Sequence, residues 1–169
     1  MKKLDIIKSV FNIQDNDLEF SPLKQGMTND SFIFSINNKR YIIRVPGVNT
    51  EKIINRHQEY DVYQAIKNEE FVEPVVYIDR ESGYKISKFI ENSHTINPKD
   101  WNEISACLKR LRDFHNQSHR VEHCFDVFEH INYYESLMSN ASIYEDYGET
   151  KKNIESLEPI IENLVKEWT

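Results

Sequence analysis

Two apolar runs, residues 31–36 and 40–45, stand on either side of Asn37-Asn38, and this pairing constrains the fold more than any other stretch of the chain. Asparagine tolerates positive φ, so the dipeptide suits a two-residue hairpin and the runs return on each other as antiparallel strands. A third strand-like segment, 19–23, leads in through Gly26-Met27-Thr28-Asn29. Gly26 has no Cβ, which lets the backbone approach an anion closely. Thr28 and Asn29 add short polar groups to the same place. A single glycine between strands is, taken alone, most often just a hairpin turn.

Arg44 is more telling. It follows Tyr41, Ile42 and Ile43, so it leaves an apolar strand at the inner edge of the sheet. A cation there needs an anionic partner, because an unpaired buried charge is costly. The alternative is that strand alternation turns Arg44 out to water. Pro46-Gly47 ends the strand. Thr50 then reads as the N-cap of a helix running to about Lys67, with Glu51 in its first turn. Ile53, Ile54, His57, Tyr60, Tyr63 and Ile66 mark its buried side at helical spacing. Arg56 and Glu59 flank that stripe, three residues apart, and Glu59 can face the strand that carries Arg44. Residues 74–78 and 84–90 read as two further strands around a turn at 79–83.

The second half is helical in pattern. Asn97-Pro98 offers a cap followed by proline at the first helical position. Trp101, Ile104, Leu108, Leu111 and His115 fall on one stripe, Asp126 caps a second helix, and Pro159 should kink or split the last one. His115, His119 and His123 recur every four residues before Cys124, a spacing that could hold zinc on one helical face. The apolar pattern fades at 116–118, however, which favours ordinary surface histidines.

Composition excludes several classes. A net charge of −7 and a pI near 5.4 argue against nucleic-acid or anionic-membrane partners. The N-terminus lacks the apolar core of a signal peptide, and no run is long enough to span a membrane. Cys107 and Cys124 lack CxxC spacing, consistent with reduced thiols in the cytoplasm. At 39% hydrophobic and 12% aromatic, the chain can build a core.

Gly26-Met27-Thr28-Asn29, the stretch from Tyr41 to Gly47, Arg56-His57-Gln58-Glu59 and Lys88-Phe89-Ile90 together resemble the choline/ethanolamine kinase family. That family lies within the wider aminoglycoside-phosphotransferase-like group, and the resemblance runs in order over roughly residues 18–138. It implies an α+β fold: a protein-kinase-like N-lobe of five antiparallel strands plus a helix (1–91), then helices of an incomplete C-lobe (92–169). It implies ATP and Mg²⁺ as cofactors and a choline-like amino alcohol as substrate. Gly26, Met27, Thr28, Asn29, Arg44, Glu59, Lys88, Phe89 and Ile90 would then bind nucleotide, with Arg44 gripping phosphate while paired to Glu59. Residues 88–94 would be the hinge meeting the adenine.

Phosphoryl transfer also needs an Asp for the hydroxyl proton, an Asn five residues later and a second Asp for metal. No Asp here is followed five positions later by Asn, and no His-x-Asp occurs. No catalytic residue and no metal ligand is therefore assigned to this chain, which should not catalyse by itself. The unmatched helical stripes would favour self-association. Two alternatives are a nucleotide- or partner-binding module without turnover, and a fragment of an aminoglycoside or other small-molecule kinase.

Overall fold

A computed structural model of the chain describes residues 3–14, 18–26, 28–140 and 142–168. It contains two compact units, 1–122 and 123–169. The first opens with helix α1 (Lys3–Phe11), followed by strands β1 (Ser21–Gln25), β2 (Asn29–Ile36) and β3 (Lys39–Pro46). Helix α2 (Arg56–Ile66), strands β4 (Val75–Ile78) and β5 (Lys85–Lys88), and helix α3 (Trp101–Asn116) complete it. The strands form one antiparallel sheet in the order β1-β2-β3-β5-β4. This is the five-stranded sheet plus helix expected of a kinase-like N-lobe. The second unit holds α4 (Val127–Ser136), α5 (Tyr147–Glu155) and α6 (Glu158–Trp168).

Asn37 and Asn38 close the β2–β3 hairpin with φ of 49° and 60°, the turn that the dipeptide predicts. The register then divides the sheet by alternation. Phe32 pairs with Ile43, Phe34 with Tyr41, and Ile43 with Ile86, so these side chains share one face. Ile6 and Ile7 of α1 bury themselves against that face, with Phe34, Ile43 and Ile86 at 0–1% exposure. The opposite face carries Ser31, Ile42, Arg44, Lys85 and Ser87. One face of the sheet is the core. The other is polar, and α2 lies against it.

The helix starts differ from the sequence expectation. Thr50 does not cap a helix reaching Lys67, because its hydroxyl donates to the Gly47 carbonyl at 2.8 Å. Thr50–Lys52 form only a 3₁₀ turn. α2 begins after Asn55, whose side chain accepts from the Gln58 backbone N–H at 3.1 Å. The shift rotates the helix. Ile53 is 51% exposed and His57 is exposed, whereas Arg56 is buried. Likewise Asn97-Pro98 sits in a turn closed by the Asp100 N–H on the Asn97 carbonyl, and Asp100 caps α3 by accepting from Asn102 at 2.8 Å. Asp126 caps α4 as expected, accepting from Phe128 and Glu129. Pro159 falls in the first turn of α6 and separates it from α5.

The two-faced sheet predicts unequal costs for similar substitutions. Ile43→Ala, at 0% exposure, should lower stability by about 2–5 kcal/mol. Ile53→Ala, outside the core, should stay within about 0.5 kcal/mol. Urea unfolding followed by circular dichroism distinguishes them, and equal losses would place Ile53 back in the core.

Candidate functional site

Three charged side chains meet on the polar face of the sheet. Arg44 leaves β3 on the face opposite Ile43, and its Nη1 donates to Glu59 Oε1 at 2.5 Å. Its Nη2 donates to the Gly83 carbonyl at 3.0 Å. Arg56, one helical turn before Glu59, donates through Nη1 to the other carboxylate oxygen, Oε2, at 2.9 Å. Its Nη2 reaches Thr50 Oγ1 at 3.0 Å and Asn29 Oδ1 at 3.5 Å. Arg44 and Glu59 side chains are 14% and 19% exposed, and Arg56 only 6%. One carboxylate is thus divided between two guanidiniums. Arg44 Nε is buried and has no acceptor among the described residues.

The Gly26–Asn29 loop reaches this cluster through Asn29, which approaches Arg56 and also donates through Nδ2 to Thr28 Oγ1 at 3.0 Å. The Gly26 N–H donates to the Asn29 carbonyl at 2.9 Å, and a Cβ on Gly26 would lie 3.0 Å from that oxygen. The Gly47 N–H donates to the Thr28 carbonyl at 2.9 Å. The end of β3 and the start of β2 are thereby tied together beside Thr50. Met27 lies outside the described residues.

A second charged cluster lies beside the first. Lys85 stands directly opposite Arg44 across the β3–β5 pair. Like charges in that position repel unless each is compensated. Arg44 has Glu59, and Lys85 is paired to Glu73. Lys85 Nζ also donates to the Tyr63 hydroxyl at 2.6 Å, which in turn donates to Glu73 at 2.8 Å. Tyr63 is one turn beyond Glu59 on α2, so the helix is fastened to the sheet at consecutive turns. Three cations face two carboxylates across Arg44, Arg56, Lys85, Glu59 and Glu73, leaving one surplus positive charge.

Burial raises the Glu59 carboxyl, but hydrogen bonds from Arg44 and Arg56 outweigh it and hold the group below its ordinary value of 4.5. Glu73 behaves likewise: burial raises it, and Lys85 brings it below 4.5. Burial pushes the Lys85 ammonium down despite Glu73. Burial, reinforced by Glu73, pushes the Tyr63 hydroxyl up.

Lys88, Phe89 and Ile90 are at the other end of β5. Lys88 and Ile90 are exposed, the Lys88 N–H donates to the Pro74 carbonyl, and the Phe89 N–H donates to the Arg40 carbonyl, each at 3.0 Å. Arg40 stacks 4.0 Å from the Phe89 ring centre and pairs with Glu91. Arg40, Tyr41, Lys88, Phe89 and Glu91 border an open cleft of about 360 Å³. The structure therefore joins Gly26, Thr28, Asn29, Arg44 and Glu59 in one connected cluster, and places Lys88–Ile90 in a separate patch. Among the described residues no group of three His, Cys, Asp or Glu could hold a metal ion. His119 instead lies 3.1 Å from Glu69.

Sequence reasoning assigned no site role to Arg56, Thr50, Gly83, Lys85, Glu73 or Tyr63. Arg56 had a usable signal: a second cation three residues from the chosen carboxylate. Lys85 had one too, as a lysine between Tyr84 and Ile86 in a strand. Gly83 had none, since its need arises from a distant side chain.

No family model matches the chain. Protein LicA of Haemophilus influenzae is 29% identical over 136 residues, 78% of this chain and 40% of that protein. Protein LicA of H. influenzae strain ATCC 51907 is 30% identical over 122 residues. Among solved structures, choline kinase LicA from Streptococcus pneumoniae superposes with a TM-score of 0.77 at 27% identity, covering 95% of this chain and 57% of that one. The chain is similar to choline kinase LicA in both sequence and fold. LicA in complex with AMP also matches, with a TM-score of 0.72. An ethanolamine kinase of Plasmodium vivax shares the fold alone, at 15% identity and a TM-score of 0.55. The chain spans less than half the length of the curated relatives it matches.

The lowered carboxylates set an acid limb of stability. Above 4.5, Glu59 and Glu73 are ionised both folded and unfolded, and their contribution is complete. As pH falls from 4.5 through their lowered native values, the unfolded chain takes up protons first, and stability is lost. Urea midpoints measured against pH should drop steeply in that window, and less steeply in Glu59→Gln. Parallel curves would contradict the assignment.

Proposed function

We propose that this chain is the ATP-binding part of a choline-kinase-like phosphotransferase, with residues 1–91 as the nucleotide lobe and 92–169 as part of a helical lobe. The observation that carries the reading is the surplus positive charge of the Arg44–Glu59–Arg56 cluster beside a glycine loop. On the polar face of a kinase-like sheet, such a cluster suits phosphate oxygens. The Gly26–Asn29 loop, Met27 included, covers the phosphates, Arg44 grips them, and Glu59 holds Arg44 in place. Lys88, Phe89 and Ile90 meet the adenine, and the cleft by Phe89 and Tyr41 gives that end an aromatic wall. The similarity to LicA in complex with AMP supports the nucleotide, and the similarity to choline kinase LicA from Streptococcus pneumoniae supports a choline-like acceptor.

ATP supplies the phosphoryl group when bound. The residues of this chain bind and orient it. Mg²⁺ is expected in the reaction, but its ligands are not assigned to residues described here. The Asp and Asn pattern of phosphoryl transfer is absent from this sequence, so the chain binds nucleotide without turning it over. No described helix is long and apolar enough to cross a membrane. The free, exposed Cys107 and Cys124 fit a reducing cytoplasm. Self-association through Trp101 and Leu108 of α3, 78% and 57% exposed, belongs to the same proposal, and sedimentation velocity reads it.

Calorimetric titration should show ATP binding, weakened by about 1–3 kcal/mol in Arg44→Ala, as for the loss of a charged hydrogen bond. A coupled ADP-release assay with choline should read background. Choline-dependent turnover surviving repurification would overturn the binding-only role, and undiminished ATP binding in Arg44→Ala would overturn the site.

A further inference from the structure

Arg56 has no counterpart in a simple cation–carboxylate pair, yet it is the most buried charge of the cluster at 6% side-chain exposure. An arginine with a carboxylate to itself closes two parallel hydrogen bonds and forms a neutral pair. Here that cannot happen. Arg56 holds Glu59 Oε2, so Arg44 reaches Glu59 through one bond to Oε1 and spends its second terminal nitrogen on the Gly83 carbonyl. Arg44 Nε is left buried with no acceptor among the described residues, and the trio keeps a net positive charge.

Arg56 is itself fixed from three sides. Thr50 Oγ1 and Asn29 Oδ1 accept from its Nη2. Its aliphatic stem runs across Gly83, which adopts φ +72°. A Cβ there would come within 2.5 Å of Arg56 Cδ and 2.7 Å of Nε. No side chain fits between them. Gly83 thus serves both guanidiniums, offering its carbonyl to Arg44 and its bare Cα to the stem of Arg56.

We propose that Arg56 is a positioning residue for the polyphosphate chain: by occupying the second oxygen of Glu59 it keeps Arg44 from a closed, neutral pair and leaves its charge available to the phosphates. This rests on the nucleotide-binding reading above. Arg56 acts through Arg44, so its effect grows with the negative charge of the ligand. A purely structural tie between the β3–α2 loop and the helix would not distinguish ATP from AMP.

The test is calorimetric titration of the 169-residue protein with ATP and, separately, with AMP, alongside thermal melts. Wild type should prefer ATP. Arg56→Gln lets Arg44 close its fork on Glu59, so ATP affinity should fall roughly tenfold, the scale of one charged hydrogen bond, with AMP affinity unchanged. Gly83→Ala keeps every charge but displaces the Arg56 stem; it should reduce the ATP preference in the same direction, and it carries the test if Arg56→Gln fails to fold. Parallel changes for both nucleotides, or none, would overturn the positioning role while leaving the nucleotide site standing. A wild-type protein with no preference for ATP would overturn the phosphate-binding reading and this inference with it.

Discussion

The arrangement of this lobe depends on one carboxylate shared between two guanidiniums. Glu59 accepts from Arg44 on the sheet and from Arg56 on its own helix. A buried Arg–Glu pair stabilises little by itself, because desolvation offsets most of the Coulombic gain. What the sharing adds is specificity. It fixes the rotation of α2, holds the glycine loop through Asn29, and leaves a cation uncompensated where the polar face needs one. Removing any member strands the others, so the trio is costly to break even though it contributes modestly when intact.

The opposite face of the same sheet makes this polar arrangement possible. Ile6 and Ile7 from α1 close over Phe34, Ile43 and Ile86, so apolar burial is concentrated on one side. Side-chain alternation then sends Arg44, Lys85 and Ser87 to the other side, beneath α2. Lys85 opposite Arg44 would repel it, and Glu73 with Tyr63 contains that repulsion. The two carboxylates therefore satisfy the fold and set the electrostatics together. Stability and the proposed nucleotide site share the same groups.

Much of this was legible locally. Asn37-Asn38 dictated the hairpin, and the need of a strand-borne cation for an anionic partner pointed from Arg44 to Glu59, one helix later. Asp126 and Pro159 each acted where their chemistry predicts. The start of α2 was not legible, because Thr50 and Asn55 are both good caps and only the bond from Thr50 to Gly47 decides between them. That choice rotates the helix, exposing Ile53 and burying Arg56. Glu73 lies between α2 and β4, outside any periodic stretch, so its contact with Lys85 left no sequence pattern. Gly83 is demanded by the stem of Arg56, a contact between residues distant in sequence.

The central claim is that Arg44 presents its charge to a phosphate because Glu59 is shared. The most direct measurement is the ¹H–¹⁵N correlation spectrum of arginine Nε groups, with the Arg44 signal identified by its loss in Arg44→Lys. Lacking an acceptor among the described residues, Arg44 Nε–H should shift and gain protection from exchange when ATP is added, and respond far less to AMP. An Arg44 signal unchanged at saturating ATP would contradict the account.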